Sequence, residues 1–538
     1  MFLQTFPPTK AFQMATRTKS KKNRSKSLNR HFRLAVLGKP TGVIQPRVQG
    51  VGPEHFGVVA IDCAKDRSKW MLCDFYGKIL VEPTEVEHRK NSLQAATQIL
   101  NAAKQQYQIK DLIVCVEMTG TYHQIVFRHF RSSGFDTRIV HPFASSHYRM
   151  PEHGDVKTDD HDLASIFRAA VNGFGLVQNQ WPEAYQQLQI LCRHRRDLVN
   201  KRSKVQCQIR HHLERCLPGF AAIFPGNDLW EHPLGITTLR YIAENGGTHQ
   251  AILDVPQNDL SDWLKQQGCR FQKRTIDRIV NWASQAASGH EMSRTLSRVW
   301  RELLEDWKLK MSQITAIEVD EASLLVQTPY ILLLSHPGIN VISAAELAGE
   351  TGPIELYASC KSISGRAGLF PSRYQSDKTD RAGNLSRFRN GRMRAAWMMV
   401  AENMVKCNSY WQRKNNGWKE QGHDPRDIRV RIANRLTRTI FQMLAGRKLY
   451  AHPSRLDRGY VLEKLMTFHQ ERHTPPSQIV LDLQQATEQI PVAYFPTEAI
   501  PIKAFSQRST RSRRSEPKEL GSLLVAVLAK LGVDRLES

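Results

Sequence analysis

The sequence predicts an α/β domain with a mixed sheet, joined by a long helical arm to a mainly α-helical domain. Between residues 54 and 182, short apolar segments that end in polar residues alternate with helical segments. Two longer segments, 183–216 and 291–326, repeat apolar residues at threes, fours and sevens, which is typical of long helices. Helices rich in Ala, Met and Ile follow at 393–408 and 425–445. A chain of 538 residues is long enough for two or three domains.

The strands of the first domain are predicted from short, β-branched apolar runs. Three strands in a meander, followed by strands interleaved with helices, indicate a mixed sheet. Asp62 ends one apolar run and Glu117 ends another, so both acids are expected at strand ends, where active-site groups of open sheets collect. The predicted strands are 56–62, 69–75, 78–82, 111–117 and 136–140, and the predicted helices are 90–106 and 122–133.

Two further acids follow Thr158, which is a favoured residue at a helix N-terminus. Asp159 and Asp162 lie three residues apart and would share one helix face. With Asp62 and Glu117 they would form a group of four carboxylates, the oxygen ligands that Mg²⁺ prefers for phosphodiester chemistry. Each acid also has an ordinary explanation, because acids are common at strand ends and in the first turn of a helix.

The remaining segments divide the chain further. Residues 1–53 contain no acid and are predicted to be a disordered basic arm, although a transit peptide has the same composition. The two long helices would make a coiled-coil arm, 183–328, interrupted by a proline-containing insertion at 217–290; alternatively each helix packs on its own domain. A helical domain, 329–450, is followed by a less ordered C-terminal extension, 451–538, with a short helix at 519–532.

The composition favours a nucleic-acid partner. The chain has 76 Lys and Arg against 51 Asp and Glu, a net charge of +25. No apolar stretch reaches the length of a membrane span. The nine cysteines include no Cys-x-x-Cys pair, which favours a reducing, cytoplasmic compartment. Cys207, His211, His212 and Cys216 have helical spacing, and we assign them no metal.

A second candidate site lies in the loop predicted for residues 368–378. Seven basic residues between 373 and 394 would bind a strand backbone and neutralise charge at a phosphorus atom. Ser376 could act as a nucleophile among these cations, with Tyr374 as a rival; a single Ser in a polar loop is more often a turn residue. The basic residues are Arg373, Lys378, Arg381, Arg387, Arg389, Arg392 and Arg394.

Several of these motifs together resemble the transposases of the insertion-sequence-110 family, which are DEDD recombinases related to the Piv DNA invertases. The amino-terminal half is similar through Asp62-Cys63-Ala64-Lys65, through Glu117-Met118-Thr119-Gly120-Thr121-Tyr122, and through Lys157-Thr158-Asp159 with Asp162. The second half is similar through His336-Pro337-Gly338-Ile339, Gly368-Leu369-Phe370-Pro371, Gln375-Ser376 and Met393-Arg394. The similar motifs occur in the family's order, over residues 56–450.

The resemblance implies a RuvC-like domain of the RNase H class and a helical transposase domain. Asp62, Glu117, Asp159 and Asp162 would then bind Mg²⁺, and Ser376 would become joined to a DNA strand. Lys65 and the seven basic residues would bind nucleic acid. It further implies a homo-oligomer, dimer or tetramer, paired through the arm, in which domains of different subunits share an active site. A structured guide RNA would pair with both donor and target DNA.

Two positions depart from the family pattern: Asp377 follows the serine where Gly is common, and Arg389 precedes Asn390 where Gly is also common. The function expected from the whole sequence is DNA recombination for a prokaryotic mobile element, by a nucleoid-associated enzyme. The alternatives are a site-specific invertase of the same architecture, a nuclease that uses only the carboxylates, and a non-catalytic protein that binds RNA or DNA.

Overall fold

The computed structural model divides into two compact units, Met1–Gln180 and Trp181–Ser538. None of the helices in the described part of the chain has the length and apolarity that a membrane crossing requires. The described residues are 44–153, 158–173, 176–177, 181–224, 229–287, 293–376, 379–385, 389–450 and 459–491.

The first unit contains a mixed sheet, as the sequence predicts. Its strands are β1 (Phe56–Cys63), β2 (Arg67–Asp74), β3 (Ile79–Glu87), β4 (Asp111–Glu117), β5 (Asp136–Val140) and the short β6 (Leu176–Val177). Their order is β3-β2-β1-β4-β5-β6. The meander β1-β2-β3 is antiparallel, β1 is parallel to β4, β4 is parallel to β5, and β6 returns antiparallel. The two central strands therefore run side by side with their carboxyl ends together.

Helices cover both faces of this sheet, which explains why β1 and β4 are apolar along almost their whole length. One face packs against α2 (Lys90–Gln106) and α3 (His123–Ser132) through a cluster that contains Leu100 and Phe130. The other face packs against α1 (Gln45–Val51), α4 (Pro142–His153) and α5 (Asp159–Val171). The sequence patterns did not predict α1, α4 or β6.

Helix α1 corrects the predicted extent of the disordered arm. Ile44 and Val48 are buried in the core, and Arg47 forms ion pairs with Asp111, at 2.5 Å, and with Asp136. An apolar face and two acidic partners thus order a segment whose overall composition is basic and polar. Residues 44–53 belong to the first unit, whereas the rest of the predicted arm lies outside the described residues.

The second unit begins with the two long helices that the sequence predicts, α6 (Glu183–Cys216) and α11 (Ser293–Leu325). Arg195 of α6 pairs with Glu318, and Arg202, two turns later, reaches Met311 of α11, so the helices are antiparallel. The insertion between them folds on the ends of both helices around its own apolar cluster. It forms α7 (Pro233–Glu244), α8 (Gln250–Leu253), α9 (Gln257–Gln266) and α10 (Lys273–Gln285).

The rest of the second unit is mainly helical around one large core. Two predictions differ from the structure here. The loop predicted at 368–378 contains strand β7, and the tail predicted after residue 451 contains two ordered helices, because Leu462, Leu465 and Leu483 are buried in this core. The helix predicted at 519–532 lies outside the described residues. The elements are a 3-10 helix (Pro329–Ser335), α12 (Val341–Thr351), α13 (Cys360–Ala367), β7 (Pro371–Ser376), β8 (Thr379–Leu385), α14 (Gly391–Cys407), α15 (Ser409–Glu420), α16 (Pro425–Ala445), α17 (Gly459–Glu471) and α18 (Pro476–Gln489).

Ion pairs join the base of the arm to α12. Arg193 pairs with Glu350 at 2.7 Å and Arg196 pairs with Glu346 at 2.9 Å. Glu321 of α11 is fully buried nearby. Burial raises the pKa of Glu321 to about 8, although Arg195 and Cys192 act in the opposite direction. Burial therefore favours the protonated form of Glu321 in the folded protein.

This buried acid makes stability depend on pH. The pKa of Glu321 is raised from 4.5 to about 8, so its contribution to stability is fully present below the lower value and is lost as the pH rises through the higher one. We expect the free energy of unfolding of Glu321→Gln to exceed that of wild type by up to roughly 4 kcal/mol at pH 9. At pH 5 the two proteins should differ little in stability. Urea unfolding at the two pH values measures this difference. A difference that is the same at both would contradict the prediction.

Candidate active site

The carboxyl ends of β1 and β4 bring the first two predicted acids together. Ile61 is in register with Val116 in this parallel pair, so Asp62 and Glu117 are neighbours one residue further along. Asp62 is half-buried and Glu117 is buried, and the two side chains are within hydrogen-bonding reach. A pair of carboxylates this close shares a proton or requires a cation, because two buried like charges repel each other.

Helix α5 supplies the other two acids. The side-chain oxygen of Thr158 accepts a hydrogen bond from the backbone N–H of His161, as predicted for an N-terminal cap. Asp162 is buried on the side of α5 that packs against β1 and β4, whereas Asp159 is exposed. The first turn of α5 thus adds one buried and one accessible carboxylate to the strand pair.

The pKa of Asp62 is raised by its burial and by the charges of the other three acids. Burial and the negative charges of Glu117, Asp162 and Asp159 raise the pKa of Asp62 to about 6. The negative charges of the other three predicted carboxylates therefore all act on Asp62. We refer to Asp62, Glu117, Asp159 and Asp162 as the acidic cluster.

Three residues that were not singled out from the sequence lie at this site. Two of them contact members of the acidic cluster, and the third contacts Asp160, the residue after Asp159. Ser145 of α4 donates a hydrogen bond to Glu117, and Arg149 of the same helix pairs with Asp162 at 2.7 Å. Lys69, which is opposite Asp62 in β2, pairs with the exposed Asp160 at 2.7 Å. Only a weak sequence pattern indicates two of these residues. Ser145 and Arg149 are four residues apart, as residues on one helix face are, and they follow Pro142, a favoured first residue of a helix.

The acidic cluster has the donor chemistry that a hard divalent cation requires. Its ligand atoms are all carboxylate oxygens, the set that Mg²⁺ prefers, and a cation would relieve the repulsion that raises the pKa of Asp62. Across the described residues, no three His, Cys, Asp or Glu side chains are already arranged to hold an ion. Arg149 is the cation that neutralises Asp162 in this arrangement.

Replacing Arg149 by Ala tests this relation between the arginine and a metal ion. Without the guanidinium, Asp162 is a buried and unpaired carboxylate, so we expect the metal-free variant to lose about 3 kcal/mol of stability. Thermal denaturation with increasing Mg²⁺ should then show a larger stabilisation of the variant than of wild type. Arg128→Ala, at an exposed position of α3, is the control. An equal response to Mg²⁺ in all three proteins would contradict the expected competition.

Ser376 belongs to the second unit and is the last residue of β7. It is exposed and lies in register with Thr379 of β8, so it stands at the tip of a hairpin. Tyr374 is 64% exposed on the same strand. The following residues, Asp377 and Lys378, lie outside the described part of the chain.

The predicted basic residues differ in what they contact. Arg381, Arg389 and Arg392 are exposed in the second unit, and Lys65 is exposed in the turn after β1. Arg394 instead donates its Nε–H to the carbonyl of Ala367 at 2.9 Å, and so supports the end of α13. The backbone of Arg373 lies in β7, but its side chain lies outside the described residues, as does all of Arg387.

Comparisons with known proteins match the same two regions. A family model described as a transposase, of the DEDD type found in IS110 elements, matches residues 59–218, which include the whole acidic cluster. A second model, described as the transposase family of IS116, IS110 and IS902, matches residues 330–415, which include Ser376. No curated protein matches the chain.

Proposed function

Since the chain belongs to the IS110 family of transposases, we propose that it recombines the DNA of a mobile element through a covalent Ser376–DNA intermediate. Transposases cleave DNA and transfer its strands, so the chain is an enzyme that acts on DNA. The observation that carries the proposed mechanism is the acidic cluster, in which four acids from three separate elements lie close enough to raise the pKa of Asp62.

The proposal includes a RuvC-like fold of the RNase H class for the first domain. An antiparallel meander followed by parallel strands, with helices on both faces, supports this assignment. The proposed domains are a basic arm, the RuvC-like domain 54–182, the helical arm 183–328, the serine transposase domain 329–450 and an extension, 451–538. The boundary between the two compact units at Gln180 supports the end of the RuvC-like domain.

The acidic cluster would hold Mg²⁺, which supplies charge neutralisation at the phosphorus atom when bound. Asp62 and Glu117 are positioned by neighbouring strands, and Asp159 and Asp162 by the capped first turn of α5. Ser145 orients the Glu117 carboxylate through its hydrogen bond. Rigid elements therefore set the positions of these ligands, which suits a site that must hold its geometry during phosphoryl transfer.

In the proposed reaction, the Ser376 oxygen attacks the phosphorus of a DNA strand. A bond between Ser376 Oγ and phosphorus forms as the bond to the departing deoxyribose oxygen breaks, and the hydroxyl proton passes through solvent to that oxygen. The terminal hydroxyl of a second strand then attacks the same phosphorus as the bond from Ser376 Oγ to phosphorus breaks. The proton of that hydroxyl passes through solvent to Ser376 Oγ, so the strands are joined and the serine is restored. The exposed position of Ser376 at a hairpin tip supports this role.

Exposed cations would hold the strands during these steps. The proposed contacts of Lys65, Arg381, Arg389 and Arg392 are supported by their exposure, and those of Arg373, Lys378 and Arg387 by sequence alone. The geometry of Arg394 favours a positioning role. The net charge of +25 supports a second polyanion, a guide RNA, beside the donor and target DNA. We further propose a homo-oligomer paired through the arm, associated with the prokaryotic nucleoid in the cytoplasm.

The test is strand exchange by the full-length protein on supercoiled DNA that carries the element ends, with Mg²⁺ and the RNA encoded beside the gene. Joined donor and target strands, absent with a chelator, are the expected result. Inversion of a flanked segment would support the invertase instead. Cleavage without joining would favour a nuclease, and binding without either reaction would favour a non-catalytic protein.

A further inference from the structure

We propose that a groove along α15, next to α16, binds one unpaired nucleotide of a nucleic-acid strand by base stacking and phosphate neutralisation. This inference rests on the proposed function, because it takes a nucleic-acid partner as given. It adds a contact site apart from the acidic cluster and from the basic residues around Ser376. We call this feature the α15 groove, lined by Tyr410, Arg413, Lys414, Gly417, Trp418 and Gln421.

The α15 groove follows one face of a well-capped helix. The side-chain oxygen of Asn408 accepts hydrogen bonds from the backbone N–H groups of Tyr410, at 3.0 Å, and Trp411, at 3.4 Å. Tyr410, Lys414, Gly417 and Gln421 then recur at spacings of three and four residues, so they share a face. The cavity volume is about 390 Å³, within the range of small-ligand pockets, and thus suits one nucleotide better than a duplex.

Two aromatic rings form stacking surfaces in the groove. Tyr410 and Trp418 are half-buried and pack against the large core of the second unit, which holds their rings in place. The guanidinium of Arg435 lies 4.8 Å from the ring centre of Trp418, and the ammonium of Lys414 lies 5.9 Å from that of Tyr410. Alternation of aromatic rings with cations is the arrangement by which proteins stack unpaired bases and hold the attached phosphates.

Gly417 leaves open space in the same groove. A Cβ atom built on Gly417 meets nothing within 4 Å. A glycine inside a helix is unfavourable by roughly 1 kcal/mol relative to alanine, and no neighbouring atom requires the absence of a side chain here. The space above Gly417, in the cavity that Tyr410 and Trp418 also line, is therefore available to a flat ligand.

The charge around the groove favours an anionic partner over an apolar one, and the two ring faces favour a nucleotide over an acidic peptide. Residues 409–445 contain eight Lys or Arg and three Asp or Glu. Arg431, Arg435 and Arg438 of α16 are exposed at helical spacing and form a stripe that includes the arginine over Trp418. A phosphate backbone would lie along this stripe with one base turned into the groove. Bases in a duplex are already stacked on both faces, so the ligand is an unpaired segment.

Helix α16 also links the groove to the hairpin that carries Ser376. Asn434 donates a hydrogen bond to the carbonyl of Leu369, two residues before β7 begins, and the Ser364 and Thr437 hydroxyl oxygens lie 3.1 Å apart. Helix α16 therefore carries the arginine stripe and also binds the chain just before β7. A strand gripped at the groove would be fixed relative to the proposed nucleophile.

Fluorescence anisotropy with the full-length protein tests the proposal. The probes are labelled single strands of about 12 nucleotides, as DNA and as RNA, and a DNA duplex of the same sequence. We expect Trp418→Ala to weaken single-strand binding by about tenfold and to change duplex binding by less than about twofold. Gly417→Leu should give the same result by filling the groove while leaving every charge and aromatic ring in place.

Two controls keep the outcomes distinct. Tyr76→Ala removes a 74% exposed ring from the first unit and should leave binding unchanged. Thermal denaturation should show that Gly417→Leu is folded, since leucine is a good helix former.

Equal single-strand affinity of wild type and both groove variants, or an equal loss for the duplex, would overturn the proposal. The comparison of RNA and DNA identifies the natural strand. The assay needs no cleavage, so failure of the proposed recombination would leave it interpretable.

Discussion

Replacing Asp62 by Asn is expected to reduce DNA cleavage by at least about a thousandfold. Burial and the negative charges of the other three members of the acidic cluster raise the pKa of Asp62, and a divalent cation bound there would relieve the repulsion between these charges. The asparagine side chain has the same shape and can still donate a hydrogen bond to Glu117, but it has no charge. Nicking and strand exchange of supercoiled DNA with Mg²⁺ measure the loss.

The stability of this variant separates a lost ligand from a damaged fold. Because the pKa of Asp62 is raised from 3.8 to about 6, its stabilising contribution is present below the lower value and is lost as the pH rises through the higher one. Metal-free Asp62→Asn should thus be about 2 kcal/mol more stable than wild type at pH 8, with little difference at pH 4.

Asp160 offers a matched control for Asp62→Asn. It is exposed, lies beside Asp159 in the first turn of α5, and pairs with Lys69. Asp160→Asn removes one negative charge from the same helix turn without removing a member of the acidic cluster. Activity should stay within a few-fold of wild type. If Asp62→Asn cleaved DNA as well as Asp160→Asn does, the proposed metal site would be wrong.

Replacing Ser376 by Ala is expected to abolish the covalent protein–DNA adduct and to slow strand exchange by about a thousandfold or more. Alanine lacks the attacking hydroxyl, and Ser376 is exposed at the end of β7, so the substitution removes no core packing. The adduct is detected as labelled DNA that stays with the protein after denaturation.

Ser372 provides the control on the same strand. Its hydroxyl is exposed and donates a hydrogen bond to the carbonyl of Asn384 at 3.1 Å. Ser372→Ala should form the adduct as wild type does. If Ser376→Ala still cuts DNA while Asp62→Asn does not, the carboxylates act alone and the enzyme is a nuclease. An unchanged adduct in Ser376→Ala would direct the search to another nucleophile such as Tyr374.

The local patterns predicted most of the elements that position the site. Strands β1 and β4 were predicted because a strand buried on both faces is apolar along its length, and the structure shows helices on both faces. The long helices α6 and α11 were predicted because their apolar periodicity persists over many turns. The capped start of α5 was predicted from Thr158 because a helix cap involves only a few neighbouring residues.

Elements that depend on distant partners were not predicted. Helix α1 is ordered by Asp111 and Asp136, which lie 64 and 89 residues away from Arg47. Strand β7 is polar, and its pairing with β8 cannot be recognised from either strand alone. Helices α17 and α18 pack into a core built mainly by earlier parts of the chain. In each case the stabilising contacts are made by residues far apart in the sequence.

The sequence by itself determined the type of the elements whose patterns are local, and it singled out the four acids in their order, because strand ends and helix caps are local features. Only the tertiary structure decided that Asp162 is buried beside Arg149 while its neighbour Asp160 turns to Lys69. Only the tertiary structure, likewise, placed Trp418 beneath Arg435. The reason is physical: charge pairing, burial and stacking depend on distances through space, which chain positions do not contain.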